Sequence, residues 1–303
     1  MITLHAPLYL AGQTGCGKTA VAMELANQLG IAEIINADAY QVYRGIEILS
    51  AAPSPEEQAK CPHHLFGVLA PDEECDAASF ARLARTAIDE VSSRAIPILV
   101  GGSGLYLKAI THGLAPTPKA DPELRELLDQ RTLKSLIEEY ADLDPDGAAQ
   151  TNLKNRRYVT RNLEICLLSG RPASELKQEW KDDAPQLDAV YLFREREEIY
   201  DRINRRTHAM VEAGVVAEIA AQTNLSQTAA KAIGVREIQA HLAGDLSREE
   251  MIEQIQQTTR RYAKRQASWF KREAVFRRIE ITQTASPAET AARILSELGR
   301  TRP

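Results

Sequence analysis

Short apolar runs alternate with amphipathic stretches over the first 115 residues. Residues 7–11, 32–37 and 97–100 are mostly apolar, too short for core helices, and read as buried strands. Residues 21–29 and 77–94 have helical spacing. Ala20, Met23, Ala26 and Leu29 fall on the inner side of the first, and Phe80, Leu83, Ala87, Ile88 and Val91 on that of the second. Residues 54–60 form a polar helical piece opened by Pro55 and acids. Three prolines (Pro116, Pro118 and Pro122) then break the pattern. Beyond them, residues 123–140, 156–168 and 173–180 read as helices, with no strand-like alternation. The strand pattern returns at 189–193. A charged helix over 196–212 follows, with Ile199, Ile203 and Met210 toward the core. Further helices are expected over 215–221 and 248–269, a last strand over 279–281 and a helix opened by Ser286-Pro287. A chain that leaves a strand pattern for helices and then returns is a parent domain carrying an insert. Its bounds are predicted as 1–115 and 186–303 for the core and 116–185 for the insertion.

Composition narrows the classes. With 303 residues, 44% hydrophobic and 26% charged, the chain is an ordinary globular protein. No apolar run is long enough to span a membrane, and few residues precede the first strand, so no signal peptide and a cytoplasmic location are expected. Cys16, Cys61, Cys75 and Cys166 lack metal-site spacing and read as reduced thiols. The net charge of −5 argues against a generally basic nucleic-acid binder, but it is unevenly spread. Between Arg260 and Arg278 eight basic residues face the single acid Glu273, which leaves about −12 for the rest of the chain. Tyr262, Trp269 and Phe270 lie among those charges, as stacking platforms or as core anchors.

The chemistry centres on Gly12, Gln13, Thr14, Gly15, Cys16, Gly17, Lys18 and Thr19, a full match to G-x-x-x-x-G-K-[ST] set between a strand and a helix. Its backbone N–H groups can converge on an anion, aided by the helix start. Lys18 can reach a phosphate and Thr19 can ligate Mg²⁺. The fold class is therefore α/β: a P-loop NTPase/kinase-like parallel sheet with helices on both faces and an all-helical insertion domain. Asp38 follows the second strand and so faces the loop across the carboxyl edge, as a chemical group or as a turn residue. Gly101-Gly102-Ser103-Gly104 is a second glycine turn, either approaching a ligand or merely tight. The adjacent His63 and His64 point in different directions and read as structural or substrate-shaping. Arg157 and Arg161 share a helix face within a basic patch that includes Asn155 and Arg156. Residues alone leave two choices: an ATP-dependent kinase for a small substrate, or an enzyme acting on a nucleic acid.

Over nearly its whole length the chain resembles the bacterial tRNA dimethylallyltransferase (isopentenyl-diphosphate:tRNA transferase) family. The likeness rests on residues 12–19, on Asp38 with Gln41-Val42-Tyr43-Arg44-Gly45, on Pro62-His63-His64-Leu65 and on Gly101-Gly102-Ser103-Gly104-Leu105-Tyr106-Leu107. It continues through Arg157, Arg161, Leu163-Glu164, Ile233-Gly234 and Tyr262-Ala263-Lys264-Arg265-Gln266 with Trp269-Phe270. The resemblance implies transfer of a dimethylallyl group from dimethylallyl diphosphate to the exocyclic amine of the adenosine beside the anticodon. The phosphate loop would then hold diphosphate and not ATP.

The same resemblance implies roles residue by residue. Asp38 is the general base, Thr19 the Mg²⁺ ligand and a catalytic residue, and Arg202 the arginine that assists the diphosphate, with Arg205 and Arg206 close in sequence. Contacts to the tRNA anticodon stem-loop fall to Asp38, Ala39, Tyr40, Gln41 (reading the base edge), Ser103, Arg125, Arg157, Arg161, Lys264 and Arg265. A monomer suffices for the reaction. The chain departs from the family at Ala39 (commonly Ser), at Ala52 (commonly Lys) and at Gly67 (commonly Asp), yet it keeps Lys18, Thr19 and Asp38, so activity is expected. The rivals are a small-molecule kinase, an AMP-directed prenyltransferase and a non-catalytic RNA-binding protein.

Overall fold

The computed structural model describes residues 5–179 and 186–300. Strand β1 (Leu8–Gly12) leads through the glycine loop into α1 (Lys18–Leu29) and β2 (Ala32–Asn36). Short helices α2 (Glu47–Ser50) and α3 (Pro55–Gln58) precede β3 (His63–His64), followed by α4 (Ala77–Ser92), β4 (Ile96–Gly101) and α5 (Gly104–Thr111). The next five helices are α6 (Pro122–Asp129), α7 (Leu133–Leu143), α8 (Pro145–Gln150), α9 (Arg156–Ser169) and α10 (Ala173–Gln178). The chain returns through β5 (Asp188–Phe193), α11 (Arg196–Glu212), α12 (Val215–Ala220), α13 (Val235–Leu242), α14 (Arg248–Phe270), β6 (Arg277–Glu280) and α15 (Pro287–Glu297). Two compact units result: residues 1–111 with 185–303, and residues 112–184.

The first unit is built on one sheet of order β3-β2-β4-β1-β5-β6, parallel throughout. β1 and β2 are buried at every position, as a sheet covered on both faces requires. Alternate residues feed two cores. Leu8 and Leu10 join Val21, Leu25 and Leu29 of α1 and Ile294 of α15, whereas Tyr9 and Ala11 join Phe80, Leu107, Ile238 and Phe270. The inner face of α1 differs from the sequence reading. Val21, Ala22, Leu25, Ala26 and Leu29 are buried, Met23 is half-buried and Ala20 is exposed. The helix begins at Lys18 and its stripe runs i, i+1, i+4, i+5, i+8, so the face is rotated from the expected one.

In the second unit, residues 123–140 are two helices and not one. Asp121 caps α6, accepting from the N–H groups of Glu123 and Leu124, and Thr132 caps α7 through Ser135 N–H. The Arg156 guanidinium donates to the Leu128, Asp129 and Arg131 carbonyls, satisfying the end of α6 from a distant helix. Sequence periodicity carries no trace of that tertiary cap. The unit's core gathers Leu128, Leu136, Tyr140, Val159 and Leu163. The expected end of the helix over 173–180, Trp180, lies outside the described residues. Among the described residues no helix is long and apolar enough to cross a membrane.

Candidate active site

The phosphate loop occupies the carboxyl edge of the sheet. Gly15 and Gly17 adopt φ of +82° and +97°, values that glycine takes without penalty, and Gly17 directly precedes α1. Lys18 Nζ lies 3.0 Å from the Gly12 and Gln13 carbonyls, so the ammonium sits over the loop. Thr19 is half-buried in the first turn of α1, and its hydroxyl has no protein partner among the described residues.

Three arginines brace this loop from outside. Arg202 Nε donates to Gly15 O at 2.6 Å, Arg206 Nη2 donates to Thr14 Oγ1 at 2.8 Å, and Arg194 Nε donates to Cys16 O at 2.9 Å. Arg202 and Arg206 are four apart on α11 and share the face toward the loop. Arg205 points away, exposed, and pairs with Asp201 at 2.7 Å. Burial works against the charge of Arg206, lowering its pKa, while the nearby Asp38 carboxylate works in its favour.

Asp38 is set by a residue that sequence reasoning passed over. Asn36, fully buried, accepts from Asp38 N–H at 2.7 Å and donates to the carbonyls of Leu65 (2.9 Å) and Asp38 (3.2 Å). Asp38 Oδ1 accepts from Tyr40 N–H at 3.0 Å. Leu65 holds a φ of +63°, an uncommon conformation for a branched side chain, with its carbonyl fixed by Asn36. The readable signal was an amide closing an apolar strand just before an acid. A second glycine position is equally constrained: a Cβ at Gly101 would lie 2.1 Å from Ala37 O, so β2 and β4 touch backbone to backbone beside Asp38.

Helix α14 closes the site over both glycine turns. The Tyr262 hydroxyl lies 3.4 Å from Ser103 Oγ, and burial together with the Asp38 charge raises its pKa far above that of an ordinary phenol. Gln266, also unassigned by sequence reasoning, accepts from Thr14 N–H at 2.8 Å and donates to Gly102 O at 2.8 Å. Trp269 packs on Gly104 and edge-on against Phe270, as a core anchor does. Lys264 and Arg265 are exposed, with the Arg265 guanidinium 5.6 Å from the Tyr262 ring centre.

The remaining sequence-derived positions are placed as follows. Ala39 is buried in the core, so its side chain offers no surface. The Tyr40 hydroxyl donates to Lys231 O at 3.0 Å. Gln41 Nε2 donates to Ser50 O and Ala51 O, at 3.1 and 2.9 Å, which commits its donor group to protein. A Cβ at Gly67 would meet only contacts of 3.7 Å or more, so a carboxylate there is not excluded by crowding. His64 bonds Glu33 at 2.6 Å and His63 bonds the Cys61 carbonyl, both structural uses. Among the described residues no three His, Cys, Asp or Glu side chains gather as a metal cage.

In the second unit, the basic patch is partly spent internally. Glu164, fully buried, lies between Arg125 (3.0 Å) and Arg161 (2.6 Å), and Arg161 also donates to Pro118 O. Arg157 is exposed.

A family model described as IPPT: IPP transferase matches residues 41–273. The chain is 41% identical to a tRNA dimethylallyltransferase of Akkermansia muciniphila, over 96% of this chain and 99% of that one. It is 38% identical to the tRNA dimethylallyltransferase of Geobacter sulfurreducens, over 93% and 94%. Among solved structures, the tRNA isopentenylpyrophosphate transferase of Bacillus halodurans is similar at a TM-score of 0.71 and 32% identity, covering 98% of this chain and 96% of that one. A eukaryotic dimethylallyltransferase acting on tRNA is similar at a TM-score of 0.80 and 26% identity, over 99% and 80%.

Proposed function

The chain belongs to the IPP transferase family, the tRNA dimethylallyltransferases, and from that premise we propose how its own residues perform the reaction. The enzyme transfers the dimethylallyl group of dimethylallyl diphosphate to the N6 amine of the adenosine beside the tRNA anticodon. A C–N bond forms at the allylic carbon as the C–O bond to diphosphate breaks, and one proton leaves the amine.

The observation that carries the assignment is Arg206. It donates to Thr14 of the phosphate loop, and the nearby Asp38 carboxylate favours its charge, so the loop and the carboxylate lie toward the same guanidinium. Lys18, Arg202, Arg206 and the N–H groups at the start of α1 stabilise the charge that develops on the departing diphosphate. Asp38 Oδ accepts the proton of the attacking amine. An aryl amine is a weak nucleophile, so removing the proton during attack is what makes the step feasible. The adenosine reaches this edge flipped from a single-stranded loop, at a cost of a few kcal/mol.

Mg²⁺ fits the same place. The Thr19 hydroxyl beside Lys18, without a protein partner among the described residues, offers one oxygen, and a magnesium ion on a diphosphate would need only one or two from the protein. When bound, the ion neutralises charge on the leaving group. Arg157, Lys264 and Arg265 are the exposed cations suited to tRNA phosphates. Arg125 and Arg161 serve through Glu164, shaping the insertion. Gln41 meets a base through its carbonyl oxygen, since its amide donates to Ser50 and Ala51.

The test uses purified protein, Mg²⁺ and labelled dimethylallyl diphosphate with tRNA, AMP or no acceptor. Label is expected in tRNA alone; transfer to AMP would support the free-nucleotide reading. Asp38→Ala is expected to abolish most transfer and to spare tRNA binding. An undiminished rate in that variant would remove Asp38 as the base.

A further inference from the structure

We propose that Gln266 is a positioning residue that holds the phosphate loop and the second glycine turn in one frame, so that the diphosphate and the acceptor amine meet at bonding distance. The proposal rests on the prenyl-transfer reading above. Gln266 is buried, on the inner face of α14, and uses both ends of its amide. Oε1 accepts from Thr14 N–H in the phosphate loop, and Nε2 donates to Gly102 O in the turn that carries Ser103, each at 2.8 Å. The two turns follow different strands, β1 and β4, and a single planar amide joins them.

The space around that amide is closed. A Cβ at Gly102 would lie 2.3 Å from Gln266 Nε2 and 2.8 Å from Gly12 O, so the two turns and the side chain are stacked without slack. The same helix adds parallel ties: Tyr262, one turn earlier, sets its hydroxyl 3.4 Å from Ser103 Oγ, and the Ala263 carbonyl accepts from Gln13 Nε2 at 3.4 Å. Of these ties, only the Gln266 side chain bonds both turns at once.

The amide also selects which loop groups remain for an anion. Thr14 N–H is given to Gln266, Thr14 Oγ1 to Arg206, and Cys16 N–H to Gln13 O. The cradle is therefore formed by Gly15, Gly17, Lys18 and Thr19, and its far end is sealed by Gln266. Releasing that seal frees Thr14 and lets the loop drift relative to Ser103 and Asp38.

Two near-isosteric variants test this. Gln266→Met keeps the packing and removes both hydrogen bonds. Gln266→Glu keeps the acceptor for Thr14, loses the donor to Gly102 and sets a negative charge beside the anion loop. Both are measured as full-length protein with Mg²⁺, dimethylallyl diphosphate and tRNA, per titrated active site. We expect kcat for Gln266→Met to fall by about 10- to 100-fold, the loss a misplacement of about 1 Å produces. For Gln266→Glu we expect the greater rise in KM for dimethylallyl diphosphate, with tRNA binding measured without donor unchanged in both. A purely structural role would lower the amount of active enzyme and the melting temperature, leaving kcat and KM per site alone. That result, or failure of both variants to fold, overturns the proposal. If the unaltered chain transfers nothing to tRNA, the prenyl-transfer reading itself has failed; if it transfers and the variants match it, only the role of Gln266 has.

Discussion

Gly101→Ala converts a single methyl group into a test of the whole site. In the native backbone that methyl would lie 2.1 Å from Ala37 O and 2.4 Å from its carbonyl carbon. A relaxed carbon–oxygen contact needs about 3.3 Å, so the strands must separate locally by about 1 Å. They cannot slide apart freely, because Ala37 N donates to Val100 O at 2.8 Å across the same pair. The displaced segment is the one that ends in Asp38. Overpacking of this kind costs about 1–3 kcal/mol, and for a unit of this size that lowers Tm by roughly 2–12 °C. With Asp38 as the proposed base, a shift of about 1 Å in its carboxylate costs about 100-fold in the chemical step. The assay is single-turnover transfer of labelled dimethylallyl to bound tRNA, beside calorimetric melting. Gly30→Ala is the control. A Cβ there meets nothing within 4 Å, but its φ of +77° makes the variant similarly destabilised at a place remote from Asp38. A wild-type rate within a factor of about three in Gly101→Ala, or an equal loss in Gly30→Ala, would sever this strand contact from the placement of Asp38.

The three clustered arginines are expected to separate cleanly. Arg202→Ala and Arg206→Ala should each lower kcat by about 10²- to 10³-fold, the loss typical of one donor to a developing anion, and Arg205→Ala should leave transfer unchanged; equal losses in all three would refute the assignment. Glu33 provides a pH signature. The Arg94 hydrogen bond, joined by that of His64, holds its carboxyl below the ordinary range, so the stability it contributes is present above the unfolded carboxylate pKa and lost as pH falls through the lower folded value. The Tm difference between wild type and Glu33→Gln should therefore be largest near neutrality and shrink in acid; a difference independent of pH would contradict this. Lys264→Ala and Arg265→Ala should each weaken tRNA binding and reduce the slope of log K against log salt by about one, and an unchanged slope would place these cations off the RNA path.

Much of the site was legible because its chemistry is local. Residues 12–19 form one loop of consecutive positions and Asp38 follows its strand directly, so the order of residues nearly gives their place along the carboxyl edge of the sheet. Arg202, Arg205 and Arg206 could not be sorted by the same means. Helical phase makes Arg202 and Arg206 equivalent, but only the packing of α11 against α14, with Ile203 beside Gly15, turns that face toward the loop. The basic residues of the insertion are visible in sequence, but their internal partners are not. Glu164 pairs with Arg125 from 39 residues away, and Arg156 caps a helix end no periodicity could show.

The order of residues alone carries the alternation of strands and helices, the G-x-x-x-x-G-K-[ST] loop between the first strand and helix, and the family. These follow from periodicity, from glycine and proline chemistry, and from motifs read over a few residues. That Asn36 aims Asp38, that Gly101 has no room for a side chain and that Gln266 joins two turns emerges only from the folded chain. Those facts depend on side chains meeting backbone carbonyls and N–H groups of other strands. A buried amide looks the same in sequence whether it caps its own turn or one 252 residues away.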